Sequence, residues 1–193
     1  MTAAPAAAQT AARAKPVADR HAPALTGPYI PPWVKLARAD LGTHEGVGPK
    51  DNPKVLQYFV DASHPEIRHD EVAWCAAATG AWLKRSGVKP SGSLAARSYE
   101  AWGQPTPGGK LIFGCIGVKK RPGGWLGHVG IVVGANATQI FLLAGNQGDA
   151  VSISAHPRSA FTAFRWPANL PVPKDLPKLP TTVAGAQSGV SEA

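Results

Sequence analysis

The chain has 193 residues, 44% of them hydrophobic, and a formal net charge of +8 at pH 7, which suits one domain with one core and long-range attraction to polyanions. Its basic residues are scattered (Lys35, Arg38, Lys84, Arg85, Arg97, Lys119, Lys120, Arg121) and not gathered on one helix face, which argues against base reading in nucleic acid. The Ala-rich residues 1–14 contain no continuous strongly apolar h-region and no apolar run approaches about 18 residues, so neither a Sec signal peptide nor a membrane span is expected.

Residues 1–28 are rich in Ala and Pro and read as a disordered leader. Trp33, Leu36, Ala37 and Leu41 recur at helical spacing until Gly42, which predicts a short amphipathic helix. A glycine-punctuated loop over 43–48 follows, and Asn52-Pro53 opens a second helix carrying Val55, Leu56, Tyr58 and Phe59 up to His64-Pro65. Asp70 is the expected N-cap of a third helix, with Cys75 in its first turns, Ala76, Ala77, Ala78 and Ala81 on a slim side, and Gly87 at its end. Residues 93–102 read as a fourth helix.

From Gly108 the pattern changes to β-branched and aromatic runs between glycines: 111–118, 128–133, 140–143, 151–154 and 163–166. Helices first and strands second predict an α+β domain over 29–168, its N-terminal helices packed on one antiparallel sheet of five to six strands. Residues 169–193, rich in Pro, Lys, Ser and Gly, read as a disordered tail.

A cysteine at a helix start is placed to be a nucleophile, because the positive end of the helix dipole stabilises a thiolate. Set against this, free cysteine is commonly a small buried hydrophobe. Cys115, the other cysteine, is expected as a thiol in the sheet core. In Gly127-His128-Val129-Gly130 the histidine opens an apolar strand, sharing a face with Gly130 and Val132 and opposing Val129, Ile131 and Val133. Facing the Cys75 helix, His128 could take the thiol proton; the competing reading is a structural histidine bonded to a carbonyl. Asn146, in Gly145-Asn146-Gln147-Gly148-Asp149, could fix the His128 tautomer. Gln147 and Asp149 compete for that role, and simple turn chemistry accounts for the Asn as well.

Cys75, His128 and Asn146, in that order on helix start, strand start and next strand end, resemble the NlpC-type and CHAP cell-wall cysteine peptidases and amidases. The resemblance is to a branch carrying Trp-Cys-Ala-Ala, Ala-Arg-Ser, Gly-His-Val-Gly and Gly-Asn-Gln-Gly-Asp, here Trp74–Ala77, Ala96–Ser98, Gly127–Gly130 and Gly145–Asp149. It implies a papain-like fold with Cys75 as nucleophile, His128 as general base and then acid, Asn146 as orienter, and the Cys75 N–H in the oxyanion hole. No metal or organic cofactor is required. Glu45 and Asn52 also match and are expected to border the groove, with capping and loop hydrogen bonding as the alternative. Trp74, Arg97, Trp125 and Gln147 complete the expected substrate-binding set, Arg97 as a carboxylate clamp. The pattern differs at Ala73, Ala78 and Lys110, which bears on packing around the nucleophile and on groove charge.

The resemblance implies a monomeric peptidoglycan hydrolase that cuts an amide of the peptide stem, of endopeptidase or N-acetylmuramoyl-L-alanine amidase type. Its partners are peptidoglycan and, for a secreted toxin, an immunity protein or delivery machinery, with no nucleic acid and no integral membrane. Such a protein is made in the cytoplasm and reaches the wall by a non-Sec route, as a phage lysin or an injected effector does. The alternative is a catalytically silent cell-wall-binding module of the same fold.

Overall fold

The computed structural model describes residues 28–121 and 126–191. Three α-helices lead: α1 (Pro32–Ala39), α2 (Pro53–Asp61) and α3 (Cys75–Arg85). The first two open on proline, whose fixed φ suits the first helical position. Asn52 caps α2, its Oδ1 accepting from Lys54 N at 2.9 Å. The alanine-rich α3 is buried from Cys75 through Leu83, so it packs as a slim rod inside the domain.

Asp70 is not the N-cap of α3; Trp74 holds that position. The Asp70 carboxylate instead accepts from the backbone N–H of Gly46 at 2.6 Å and of Asn52 at 2.7 Å, tying the 42–52 loop to the approach to α3. The expected fourth helix is reduced to a 3-10 turn, Ala96–Glu100. The hydroxyls before it explain the shortening: Ser91 Oγ accepts from Ser93 N and Ser93 Oγ from Ala95 N, giving the backbone a local alternative to helix.

The strands are β1 (Gln104–Pro105), β2 (Ile116–Lys120), β3 (Gly127–Ala135), β4 (Gln139–Ala144), β5 (Ser152–Pro157), β6 (Phe161–Trp166) and β7 (Gln187–Ser188). They form one sheet in the order β1-β6-β2-β3-β4-β5-β7. Every pairing is antiparallel except β5 with β7. The domain is thus α+β with a mixed seven-stranded sheet, not an antiparallel one of five to six.

The sheet curls strongly. Between β5 and β6 lie β2, β3 and β4, a flat separation of about 19 Å. Yet the chain passes from Pro157 to Phe161 directly, a reach of at most about 14 Å. Closing that gap bends the sheet into a partial barrel, and the His156 and Phe161 rings meet inside it at 6.3 Å. Register places Gly117 opposite Gly130, Lys119 opposite His128, Val132 opposite Leu142 and Ile140 opposite His156 on this concave side. Val118 opposite Val129, Ile116 opposite Ile131 and Ile131 opposite Leu143 form the outer face, against which the helices pack.

The segment after Pro167, expected to be disordered, is ordered as far as residue 191. Its Leu170, Val172, Leu176, Leu179, Val183 and Ala186 pack on the core, Ala135 N donates to Pro180 O, and Gly148 N donates to Ser191 O at 2.8 Å. Apolar residues supply this burial without forming a helix, because Pro171, Pro173, Pro177 and Pro180 interrupt them. The expected leader lies outside the described residues, apart from Pro28.

One buried anion joins the helices. Asp40 Oδ2 accepts from Tyr58 Oη at 2.9 Å and Trp82 Nε1 at 2.8 Å, and Oδ1 pairs with Lys54 Nζ at 2.7 Å. Burial alone would raise its pKa, but the bonds from Lys54, Trp82 and Tyr58 hold it below the ordinary carboxylate value. Asp40→Ala strands two buried donors, and an expected loss of about 3 kcal/mol is read by denaturant unfolding. A midpoint unchanged from wild type would show that these bonds contribute nothing.

Candidate functional site at the start of helix α3

Cys75 is the first residue of α3, 6% exposed, and its helix lies on the outer side of the sheet. Gly145, just past β4, permits that approach: a Cβ there would lie 2.4 Å from the Trp74 ring and 2.8 Å from the Ala78 methyl. Tyr99, in the 3-10 turn, is close enough for its ionisation to feel the Cys75 thiolate, although burial is the main reason its pKa is pushed up to about 12.

Three residues distant in sequence meet here. Trp74, immediately before the thiol, donates from Nε1 to Glu45 Oε1 at 2.6 Å, and Asn146 Nδ2 donates to the same oxygen at 3.4 Å. Trp74 also stacks on Tyr58, with ring centroids 5.8 Å apart and planes at 17°. Asn146 is buried and has a left-handed backbone with φ 58, a conformation that Asn tolerates better than most residues. The Glu45 backbone N–H donates to Asp149 O at 2.9 Å. Burial raises the Glu45 pKa, the Trp74 bond opposes the shift, and the charges of Asp149, Asp70 and Glu71 add to it. Glu45 therefore keeps its proton to higher pH than an ordinary glutamate.

The structure does not bring His128 to this cluster. Gly127 has the outward position, where a Cβ would lie 2.6 Å from Arg97 Cγ, so the next residue points into the barrel. There His128 is 1% exposed, beside its strand partner Lys119, with its ring 6.0 Å from that of His156. Burial, and then the charge of Lys119, push its pKa down to about 3. Its Nε2 is buried with no hydrogen-bond partner among the described residues. In this arrangement the imidazole is neutral and enclosed, away from the Trp74–Glu45–Asn146 contacts, and the alternation of β3 leaves the choice of face open because both faces are apolar.

Gln147 is inside as well. Its Nε2 donates to Leu142 O at 3.3 Å and Ser152 O at 2.8 Å, and its Oε1 meets His156 Nε2 at 3.0 Å. It braces β4 against β5 and borders no groove. Arg97 directs its fork at Glu100, with Nε to Oε1 and Nη2 to Oε2 both 3.0 Å, so its carboxylate is internal. Asn52 serves as a cap and donates from Nδ2 to His44 O at 2.6 Å. Trp125 lies outside the described residues.

Tyr99 and His156 escaped the sequence reading. Tyr99 stands one residue beyond Ala-Arg-Ser, which was the available signal; His156 lies within β5, an unremarkable serine-containing strand. Among the described residues, no group of three His, Cys, Asp or Glu could hold a metal ion, and no helix is long and apolar enough to cross a membrane.

Neither cysteine is in a disulfide; Cys75 is 6% exposed and Cys115 1%. Burial pushes the Cys115 thiol up to about 12, which leaves almost no thiolate near neutrality. Iodoacetamide at pH 7.5 on the native protein is expected to modify Cys75 at least about tenfold faster than Cys115. Peptide mapping checks this, and equal labelling would remove the distinction.

No family model, curated protein or solved structure matches the chain.

Proposed function

We propose that the protein is a cell-wall hydrolase of papain-like, NlpC/CHAP type that cuts an amide of the peptidoglycan peptide stem through a thioester at Cys75. The observation that supports this most is the convergence of Glu45 and Asn146 on Trp74, the residue directly before the thiol. Residues 101 positions apart are gathered at one helix start, an arrangement that a merely buried cysteine does not need. The net charge of +8 favours approach to an anionic wall polymer.

In this reaction the Cys75 thiolate attacks the scissile carbonyl carbon, and the α3 N-terminus stabilises the negative charge gathering on the carbonyl oxygen. The C–N bond breaks as the leaving nitrogen takes the proton that Cys75 gave up in forming the thiolate, so the amine departs and a thioester remains. Water then attacks the thioester carbon and the C–S bond breaks: one water proton restores the thiol, and the hydroxyl stays on the carbonyl as the released carboxylic acid, which ionises. His128 serves as the proton carrier only from an arrangement in which the first residues of β3 turn its ring toward α3.

The enclosure of His128 in the barrel favours a second reading, a catalytically silent wall-binding module of the same fold. Digestion of purified sacculi, followed by mass spectrometry of the soluble fragments, separates the two. New amine and carboxylate ends released by the wild type and not by Cys75→Ala support the hydrolase. Sedimentation with the wall and no fragments supports the module.

A further inference from the structure

A cavity of about 350 Å³ lies between β2, β5 and the tail. It is lined by Lys119 of β2, by Arg121 just beyond that strand, by His156 of β5, and by Gly189 and Ser191 after β7. None of the residues discussed above as nucleophile, base or orienter lines it. Lys119 and His156 stand on strands with β3 and β4 between them, so the curl of the sheet is what brings both to one cavity. Lys119 is 7% and His156 6% exposed, and Arg121 is half-buried. Lysine is seldom so enclosed, whereas its neighbour Lys120, on the opposite face of β2, is exposed.

The lining selects by charge. Among the described residues that line the cavity there is no Asp or Glu, while Lys119 and Arg121 are fixed cations. Their fields add in this part of the barrel, since both oppose protonation of His128, whose ring is 6.0 Å from that of His156. A cationic ligand would be repelled by both charges and a neutral one would gain little from them, whereas an oxyanion is attracted by both. An ammonium has three donors and a guanidinium five, so the contacts that Lys119 and Arg121 make within the protein leave donors over for a ligand. His156 Nε2 is engaged with Gln147 Oε1 at 3.0 Å, and the ring adds a donor from Nδ1 only when it carries a second proton. Charge balance narrows the class: a carboxylate matches one of the two fixed cations, and a phosphoryl group, with a charge near −2 and three or more acceptor oxygens, matches both.

We infer that this cavity binds a phosphoryl group, as inorganic phosphate or as part of a small phosphoester, between Lys119 and Arg121 against the tail. The volume is at the small end of the range for small-molecule sites, about 300–1,000 Å³, which leaves room for the phosphoryl group and a few further atoms. Because Gly189 and Ser191 form one wall, the bound group bridges the tail to the barrel. The site stands apart from the hydrolysis proposed above and does not depend on it. Glu192, next in sequence after Ser191 and outside the described residues, carries a carboxylate that competes for the same cations.

The full chain is titrated calorimetrically with inorganic phosphate, and in parallel with glycerol 3-phosphate, in chloride buffer of constant ionic strength. Saturable binding is expected below about 10 mM; tighter binding of glycerol 3-phosphate assigns the site to a phosphoester, and tighter binding of inorganic phosphate to the free ion. Lys119→Met, which keeps the apolar stem and removes the charge, and Arg121→Gln, at a half-buried position, should each weaken binding at least about tenfold. Lys120→Met, at an exposed residue that does not line the cavity, should leave it unchanged. Binding that appears only in Glu192→Gln supports the site and identifies the chain's own carboxylate as its occupant in the wild type. No saturable binding in either the wild type or Glu192→Gln would overturn the proposal. So would an affinity unchanged in Arg121→Gln, or one weakened as much by Lys120→Met, which would reduce the effect to diffuse attraction by a chain of net charge +8.

Discussion

Replacing Cys75 with alanine is expected to lower the rate of amide cleavage in sacculi by about a thousandfold or more, because no other group of the site can form the thioester. The fold should survive the change. Cys75 is 6% exposed, and removing one sulfur beside slim alanines costs about 1 kcal/mol. Near-UV circular dichroism and the denaturant midpoint should therefore stay close to wild type while fragment release disappears. Cys75→Ser keeps the shape and a weak nucleophile, and should be nearly as slow. Release by Cys75→Ala at the wild-type rate would end the thiol mechanism, whatever the remaining residues do.

His128 carries the second large effect, on stability against pH. Its folded pKa is pushed down to about 3, first by burial and then by Lys119, against about 6.5 for a histidine in an unfolded chain. Above about pH 6.5 both states hold the ring neutral and stability is full. As pH falls from 6.5 toward 3 the unfolded chain takes up a proton that the native state refuses, so stability declines across that window by up to about 5 kcal/mol. The groups facing the ring are Lys119, Arg121, His156 and Gln147, and the two fixed cations oppose protonation. Urea unfolding at pH 7 and pH 4.5 measures the decline, and His128→Gln should flatten it. A wild type as stable at pH 4.5 as at pH 7 would contradict the enclosure of this ring. Sacculus digestion adds a second readout: activity retained by His128→Gln assigns His128 to packing alone, whereas loss with normal stability assigns it to proton transfer.

Local chemistry made much of the fold legible. Prolines at first helical positions, the Asn52 cap and the β-branched runs mark α1, α2 and the middle strands near their observed bounds. The facing of β3 was not legible, because Val129 and Ile131 on one side and Gly130 and Val132 on the other are equally apolar. Only the curl imposed by the short link from Pro157 to Phe161 decides which side is enclosed. The order of the tail was hidden for another reason: Val172, Leu176, Leu179 and Val183 are spaced as on a helix, but Pro173, Pro177 and Pro180 between them rule a helix out, so the pattern did not announce burial. At the site, the Trp74–Glu45–Asn146 contacts depend on loops 42–52 and 145–149 meeting, and a linear pattern does not encode that approach.

Strand β7 has a bearing on solubility. It lies in parallel on β5, Gln187 beside Ser154 and Ser188 beside Ala155, and covers part of a hydrogen-bonding edge that a second molecule could otherwise extend. A polar, two-residue guard is a poor template for further strands, so the sheet terminates instead of propagating. A variant trimmed before Gln187 would expose an edge carrying Ile153 and Ala155, turning a blunt margin into a seed for intermolecular pairing. The tail thereby protects the folded protein from its own copies.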